Sequence, residues 1–172
     1  HRPKQGRRKC NEDNCPNTLS RKFDRDNTLD VVVSDLTYVS VAGKWHYICL
    51  LIDLWNREII GWSVGRHKNA KLVKAAFSRV SYPLSAINIF HTDRGNEFKN
   101  KLIEDVINTF NIKCSLSAKG TPLDNAVNES TNHILKTEFV YQNKFASLEN
   151  LQLELFDYIH WYNNIRIHGL ID

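Results

Sequence analysis

Residues 87–138 read INIFHTDRGNEFKNKLIEDVINTFNIKCSLSAKGTPLDNAVNESTNHILKTE, and the way this stretch folds settles the architecture of the whole chain. Its opening, together with Ala86, is an apolar strand, AINIFHTD, that ends on Asp93. The turn Arg94-Gly95-Asn96 leads into a helix over EFKNKLIEDVINTF, and IKCSLS gives a further short strand. Thr121-Pro122-Leu123-Asp124 then has the form of a helix start, with Thr at the N-cap, Pro at the first helical position and an acid at the third. Gly120 before it leaves the preceding loop free to bend. At 100° per residue, Asn125, Glu129, Asn132, His133 and Lys136 share one face of this helix. Val127, Thr131, Ile134 and Leu135 face the core on the other side. Glu138 falls on that apolar side, and beyond an internal ion pair the sequence offers no account of it.

Upstream, LDVVVSDLTYV from Leu29 is β-branched and largely apolar, as a strand buried on both faces should be. Asp35 interrupts it, and a carboxylate there is costly unless it is paired or holds a metal. Val41-Ala42-Gly43-Lys44 turns the chain into WHYICLLID, and Leu54-Trp55-Asn56 turns it again into REIIGWSVG. Three strands with short links predict an antiparallel meander, with Asp53 as a turn residue. NAKLVKAAFSRV has helical spacing with Asn69 as its N-cap. The strand ending at Asp93 arrives from that helix, so it is expected parallel to the first. A last helix begins near Ser147, with Leu148, Leu151, Leu155, Ile159 and Tyr162 as its apolar stripe. In the closing WYNNIRIHGLID, Arg166 and His168 are either a surface pair or phosphate contacts.

The chain has 172 residues, 42% of them hydrophobic, enough for one compact domain. No apolar run approaches the ~20 residues that span a bilayer. A soluble, intracellular protein without membrane contact is expected, and a chain that starts at His1 and lacks Met reads as a piece of a longer one. Net charge is +4, all of it in residues 1–26, which hold eight Lys or Arg against four Asp or Glu. Residues 1–28 are therefore read as a basic linker and residues 29–172 as the folded core. Cys10 and Cys15 lack the two further ligands a zinc site needs. Cys49 and Cys114 lie in apolar runs, and reduced, buried thiols are expected there.

Asp35, Asp93 and Glu129 stand out as a set. Thirty-five residues separate Asp93 from Glu129, but eleven Asp and eight Glu make such a spacing weak support by itself. The surroundings carry more weight. The element order places the first and fourth strands side by side, so Asp35 and Asp93 come from neighbouring strands and Glu129 from a helix that crosses their ends. Three converging carboxylates repel unless a hard divalent cation, Mg²⁺ or Mn²⁺, joins them. Two such ions support in-line phosphoryl displacement. The face carrying His133 and Lys136 would then meet a DNA backbone.

At this point the chain resembles the catalytic cores of insertion-sequence transposases of the retroviral-integrase type. The segments that carry the resemblance are NTLSRKF (17–23), SDLTYV (34–39), IDLWNREIIGWS (52–63), HTDRGNEF (91–98), SLSAKG (115–120), DNAVNES (124–130), LKTE (135–138) and WYNNIRIH (161–168). The resemblance implies an α/β ribonuclease H-like fold, a five-stranded mixed sheet of three antiparallel strands plus two parallel ones, flanked by helices. It implies a D,D-35-E triad on Asp35, Asp93 and Glu129 that serves both as catalytic group and as ligand set for two Mg²⁺ or Mn²⁺ ions. Asn125, Asn132, His133 and Lys136 are the expected DNA-binding positions. Nicking of double-stranded transposon ends, strand transfer into target DNA, a homo-oligomeric working complex and a nucleoid-associated bacterial location follow as expectations. The family's helix-turn-helix region and C-terminal extension are expected to lie outside the residues given. Val32-Val33-Ser34-Asp35 and His91-Thr92-Asp93 depart mildly from the usual Trp-x-Thr-Asp and His-Ser-Asp. Two competing readings remain: a ribonuclease H-like nuclease or resolvase using Asp157 as a fourth carboxylate, and a non-catalytic DNA-binding module.

Overall fold

The computed structural model describes residues 15–19, 25–118 and 126–166. Five strands form one mixed sheet in the order β3-β2-β1-β4-β5: β1 (Val31–Val41), β2 (Lys44–Asp53), β3 (Ile59–Gly65), β4 (Ile89–Thr92) and β5 (Lys113–Leu116). β1, β2 and β3 are the predicted antiparallel meander, while β4 runs parallel to β1 and β5 parallel to β4. At the β1–β2 turn Ala42 and Gly43 both have positive φ, the left-handed conformation a two-residue hairpin requires. Asp53 is buried in the next turn, where its carboxylate accepts from Thr28, the Leu29 amide and the Trp55 amide.

Four helices cover the sheet: α1 (Ala70–Ser78), α2 (Lys101–Thr109), α3 (Ala126–Leu135) and α4 (Leu148–Trp161). Strand alternation decides which helices each residue meets. Val31, Val33, Val39 and Val41 of β1 turn to the side of α3 and α4, where Leu135, Leu151, Leu155 and Ile159 complete the core. Val32 turns to the side of α1 and α2, against Val73, Phe77, Phe90 and Ile103. Asn69 caps α1 through its side chain, as the sequence indicated, and Ser147 caps α4 in the same way. α2 starts later than expected, at Lys101 with Asn100 as its cap. The amides of Phe98 and Lys99 are already engaged by the Gly95 carbonyl, so residues 97–99 belong to the turn after Asp93.

Helix α3 continues beyond Leu135 as a π-helical stretch, Lys136–Val140, and α4 as another, Tyr162–Arg166. The two extensions are tied together. Glu138 accepts from Arg166 Nε at 2.8 and 3.0 Å, and from the Tyr158 hydroxyl at 3.0 Å. Arg166 thus satisfies the ion pair anticipated for Glu138, and His168 lies outside the described residues. The cysteines depart from expectation. Cys15 and Cys114 are joined as a disulfide across 99 residues, with Cα atoms 5.5 Å apart. Residues 15–19 reach this position by lying along β5, where the Leu116 amide donates to Pro16 and the Thr18 and Leu19 amides donate to the Ser115 hydroxyl. Cys49 is a buried free thiol, as predicted.

Gly61, within the IIGWS segment, is where β3 and α1 touch. A Cβ there would stand 2.7 Å from the Ala76 carbonyl oxygen and 2.8 Å from Val80. Gly61→Ala is therefore expected to destabilise the fold by about 1–3 kcal/mol through overpacking. Urea unfolding checks this; a variant as stable as the wild type would show that α1 shifts freely on the sheet.

Candidate active site

The register of β1 against β4 determines where the two aspartates meet. Val31, Val32 and Val33 stand opposite Ile89, Phe90 and His91. The ladder ends there; continued by two positions the same register would bring Asp35 level with Asp93, and the Asp93 charge is among those that Asp35 feels. Asp35 shares its face of β1 with Val33 and Val39, the face turned towards α3 and α4. β4 ends at Thr92, so the edge of β1 beyond Val33 is open to that helix layer.

Both carboxylates are held by short local bonds. Asp35 Oδ1 accepts from the Leu36 amide at 2.8 Å, and Asp93 Oδ1 accepts from the Gly95 amide at 2.8 Å. Arg94 turns away from its neighbour and donates to the Ser117 carbonyl at 3.1 Å. Among the described residues, the ion pairs are Arg25–Asp30, Lys68–Glu97, Lys101–Asp105 and Arg166–Glu138, so none neutralises Asp35, Asp93 or Glu129. Burial, reinforced by the charges of Asp93 and Glu97, pushes the Asp35 carboxyl up to about 6, against the opposing pull of the Leu36 amide and the Lys68 ammonium.

Helix α3 docks on the open edge of β1 through two asparagines. Asn128 is buried and donates to the Ser34 carbonyl at 3.2 Å, and one turn later Asn132 Nδ2 lies 3.5 Å from Asp35 Oδ2. Glu129 sits between them in the first described turn, with its side chain exposed. His133 is exposed too, and Lys136 places its ammonium 4.2 Å from the centre of the Tyr38 ring. Asn125 and the predicted Thr121–Asp124 helix start lie outside the described residues.

Asp35 and Asp93 are thus brought together, and Glu129 is brought to the adjacent helix turn but not onto the pair. Among the described residues no three His, Cys, Asp or Glu side chains are grouped so as to hold one ion. Mutual repulsion explains why a third carboxylate gains nothing by closing on two others without a cation to share. The donor chemistry fits a hard divalent cation: every candidate donor is a carboxylate oxygen, and none is tied to a guanidinium or ammonium among the described residues. Asp157 is exposed on α4, and the charges acting most on Asp35 are those of Asp93, Lys68 and Glu97.

Lys68 and Glu97 escaped the sequence reading. Glu97 is buried and its Oε1 lies 3.3 Å from Lys68 Nζ, and the charges of both reach Asp35. One signal was present. A Cβ on Gly95 would come within 2.5 Å of Glu97 Oε1, so the glycine of HTDRGNEF leaves room for that carboxylate. Asn128 was also missed, since an asparagine on the core side of α3 looks misplaced until its bond to Ser34 is seen.

A family model described as integrase core domain matches residues 26–122, and a second of the same description matches residues 129–171. The chain belongs to the integrase core domain family. Asp35 and Asp93 lie in the first matched segment of this integrase core and Glu129 opens the second. It is 34% identical over 158 residues to the transposase InsF of insertion sequence IS3A from Escherichia coli K12, covering 89% of this chain and 54% of that protein. The transposase of element IS904 from Lactococcus lactis is 30% identical over 161 residues, covering 91% of this chain and 63% of the relative. The integrase core thus spans about half the length of InsF. In structure it is similar to the HTLV-2 integrase catalytic core domain in complex with magnesium, with a TM-score of 0.62 at 15% identity over 80% of this chain and 88% of that one. The BIV integrase catalytic core gives a TM-score of 0.58 at 17% identity over 79% of this chain and 84% of that one. The ribonuclease H-like fold expected from the sequence is the fold observed.

The raised carboxyl has a consequence for stability. Asp35 holds its proton more tightly folded than unfolded, so its contribution favours folding at low pH and is lost as pH rises from about 4 through about 6. Asp35→Asn removes the cost of a buried charge. In chelator at pH 7 the variant is expected to be more stable than the wild type by up to about 3 kcal/mol. The difference should vanish towards pH 4. Urea unfolding from pH 4 to 8 measures both, and a gain independent of pH would contradict the assignment.

Proposed function

We propose that this integrase core is the catalytic domain of an insertion-sequence DNA transposase, a metal-dependent polynucleotidyl transferase. The observation that supports the reading is the parallel pairing of β1 with β4, which makes neighbours of the strand that carries Asp35 and the strand that leads to Asp93, with Glu129 exposed on the adjacent helix α3. Asp35, Asp93 and Glu129 are the residues that would hold the cations, two in the working complex, and Mg²⁺ or Mn²⁺ suits their oxygen donors. When bound, such ions activate an attacking oxygen and stabilise the leaving one.

The chain's own contribution is positional. β1 and β4 fix two acids in a rigid sheet, where a reacting phosphodiester is held against little backbone freedom. Asn132 keeps the helix against Asp35, and with His133 and Lys136 it would form the face that meets the DNA backbone, with Asn125 proposed from the sequence as a further contact. Lys68, held by Glu97, adds positive charge where the phosphate approaches. The substrate is double-stranded DNA at the ends of the element. It is nicked by water to leave a 3′-OH, which then attacks a phosphodiester in the target. Strand transfer places two DNA ends and a target in one assembly, so a homo-oligomer is the working form. Bacterial relatives accord with action at the nucleoid.

Asp35→Asn, Asp93→Asn and Glu129→Gln are each expected to bring Mn²⁺-dependent strand transfer on short duplexes carrying the element's ends to background, while circular dichroism stays that of the wild type. Calorimetric titration with Mn²⁺ should lose its heat in Asp93→Asn. Full activity in any one variant would remove that residue from the site. Asp157→Asn is expected to leave activity intact, and its loss would favour a resolvase.

A further inference from the structure

Lys68 lies in the link between β3 and α1, and Glu97 in the turn that follows Asp93. Their side chains meet at 3.3 Å, so the ion pair ties the exit of β3 to the exit of β4. The partners differ in exposure. The Glu97 side chain is 7% exposed and the Lys68 side chain 51%, so the acid is fixed while the ammonium stays open to water.

The Glu97 carboxylate packs over Gly95. A Cβ on that glycine would fall within 2.8 Å of both carboxylate oxygens, and the Gly95 amide donates to Asp93 Oδ1. One glycine thus supports two acids, Glu97 over its Cα and Asp93 on its N–H. The Glu97 charge also reaches inward, to Asp35 and to Cys49, the β2 residue that stands opposite Leu36 of β1. Of the charges that act most on Asp35, Asp93 and Glu97 are negative and Lys68 alone is positive.

A patch of this kind is neutralised either from within or from outside. Lysine is a compact charge on a flexible four-carbon stem, able to leave a partner without moving the backbone. A divalent cation would bring more charge to the same oxygen-rich place. Two cations drawn to one set of carboxylates repel each other, so uptake of one opposes retention of the other. A buried acid left without a partner is strongly destabilising, so the protein needs an internal cation while no external one is bound.

We propose that Lys68 is the resident counter-charge of this carboxylate centre, held on Glu97 in the unloaded protein and released as a divalent cation is taken up. It is a positioning residue, acting through Glu97 and Asp35. The inference rests on the reading of Asp35 and Asp93 as cation ligands and adds to it a competition between an internal ammonium and an external ion. The competition is reciprocal: what loosens Lys68 tightens the cation, by the same factor.

Calorimetric titration with Mn²⁺ and acetylation by acetic anhydride, read by mass spectrometry, test the two halves. Lys68→Gln should bind Mn²⁺ about tenfold more tightly than the wild type. In chelator it should unfold at lower urea, because Glu97 has lost its partner. Lys68→Arg keeps the charge and should return both properties towards wild type. A merely structural ion pair would move the urea midpoint alone. In the wild type, Mn²⁺ should raise acetylation of Lys68 several-fold and leave unchanged that of Lys101, which pairs with Asp105 on α2. If the wild type takes up Mn²⁺ and Asp93→Asn does not, yet Lys68→Gln binds as the wild type does, the competition is overturned and the cation site stands. Unchanged acetylation of Lys68 in saturating Mn²⁺ overturns it too, and this arm decides the matter even where Lys68→Gln does not fold. If the wild type takes up no Mn²⁺, the reading of the cation site fails and this inference with it.

Discussion

Three parallel residue pairs between β1 and β4 govern the rest of this molecule. Parallel strands cannot be joined by a tight turn, so the chain must leave β3, form α1 and return before β4 can pair with β1. The return is secured by the packing of α1, where Val73 and Phe77 meet Phe90 of β4 beneath the sheet. Once the pairing exists, everything chemical follows from parity. A slip of one residue would turn Asp35 to the face of α1 and α2 and bury it among Phe and Ile side chains. The hydrophobic identity of Val31, Val32 and Val33 therefore fixes the position of an acid two residues away.

The second constraint is polar. Beyond Val33, β1 has lost β4 as a neighbour, and its free edge would otherwise offer unsatisfied backbone groups to the interior. Asn128 supplies one of the missing partners from α3. The helix is thereby registered against the strand by a hydrogen bond, which is directional, as well as by hydrophobic contact, which is not. Val127, Ile134 and Leu135 hold α3 on the core, while Asn128 and Asn132 decide how far along β1 it sits.

Much of this was legible before any coordinates. The order of strands and helices followed from period-two and period-3.6 patterning, and the cap at Asn69 from its side-chain chemistry. The adjacency of β1, which carries Asp35, and β4, which leads to Asp93, followed from topology alone. What escaped was set by contacts distant in sequence or by competition among local ones. Nothing in NEDNC foretells that Cys15 will meet Cys114, because that meeting depends on residues 15–19 lying along β5. The start of α2 was misplaced because Glu97 and Phe98 have helical propensity, yet the Gly95 carbonyl captured the first amides. Glu97, taken in the sequence only as the opening of a helix, is buried against Lys68. The π-helical extensions of α3 and α4 carry no compositional mark at all.

The bond between Glu138 and Arg166 also has a mechanical meaning. It clamps the far end of the helix that bears Glu129 to the last turn of the helix from which the chain departs. With Tyr158 gripping the same carboxylate, the two helices form a stiff lever with its pivot at one end and an acid near the other. A displacement of α4 at Arg166 would therefore pull on α3, the helix that bears Glu129. One carboxylate couples the ends of two helices that the hydrophobic core alone would leave free to slide.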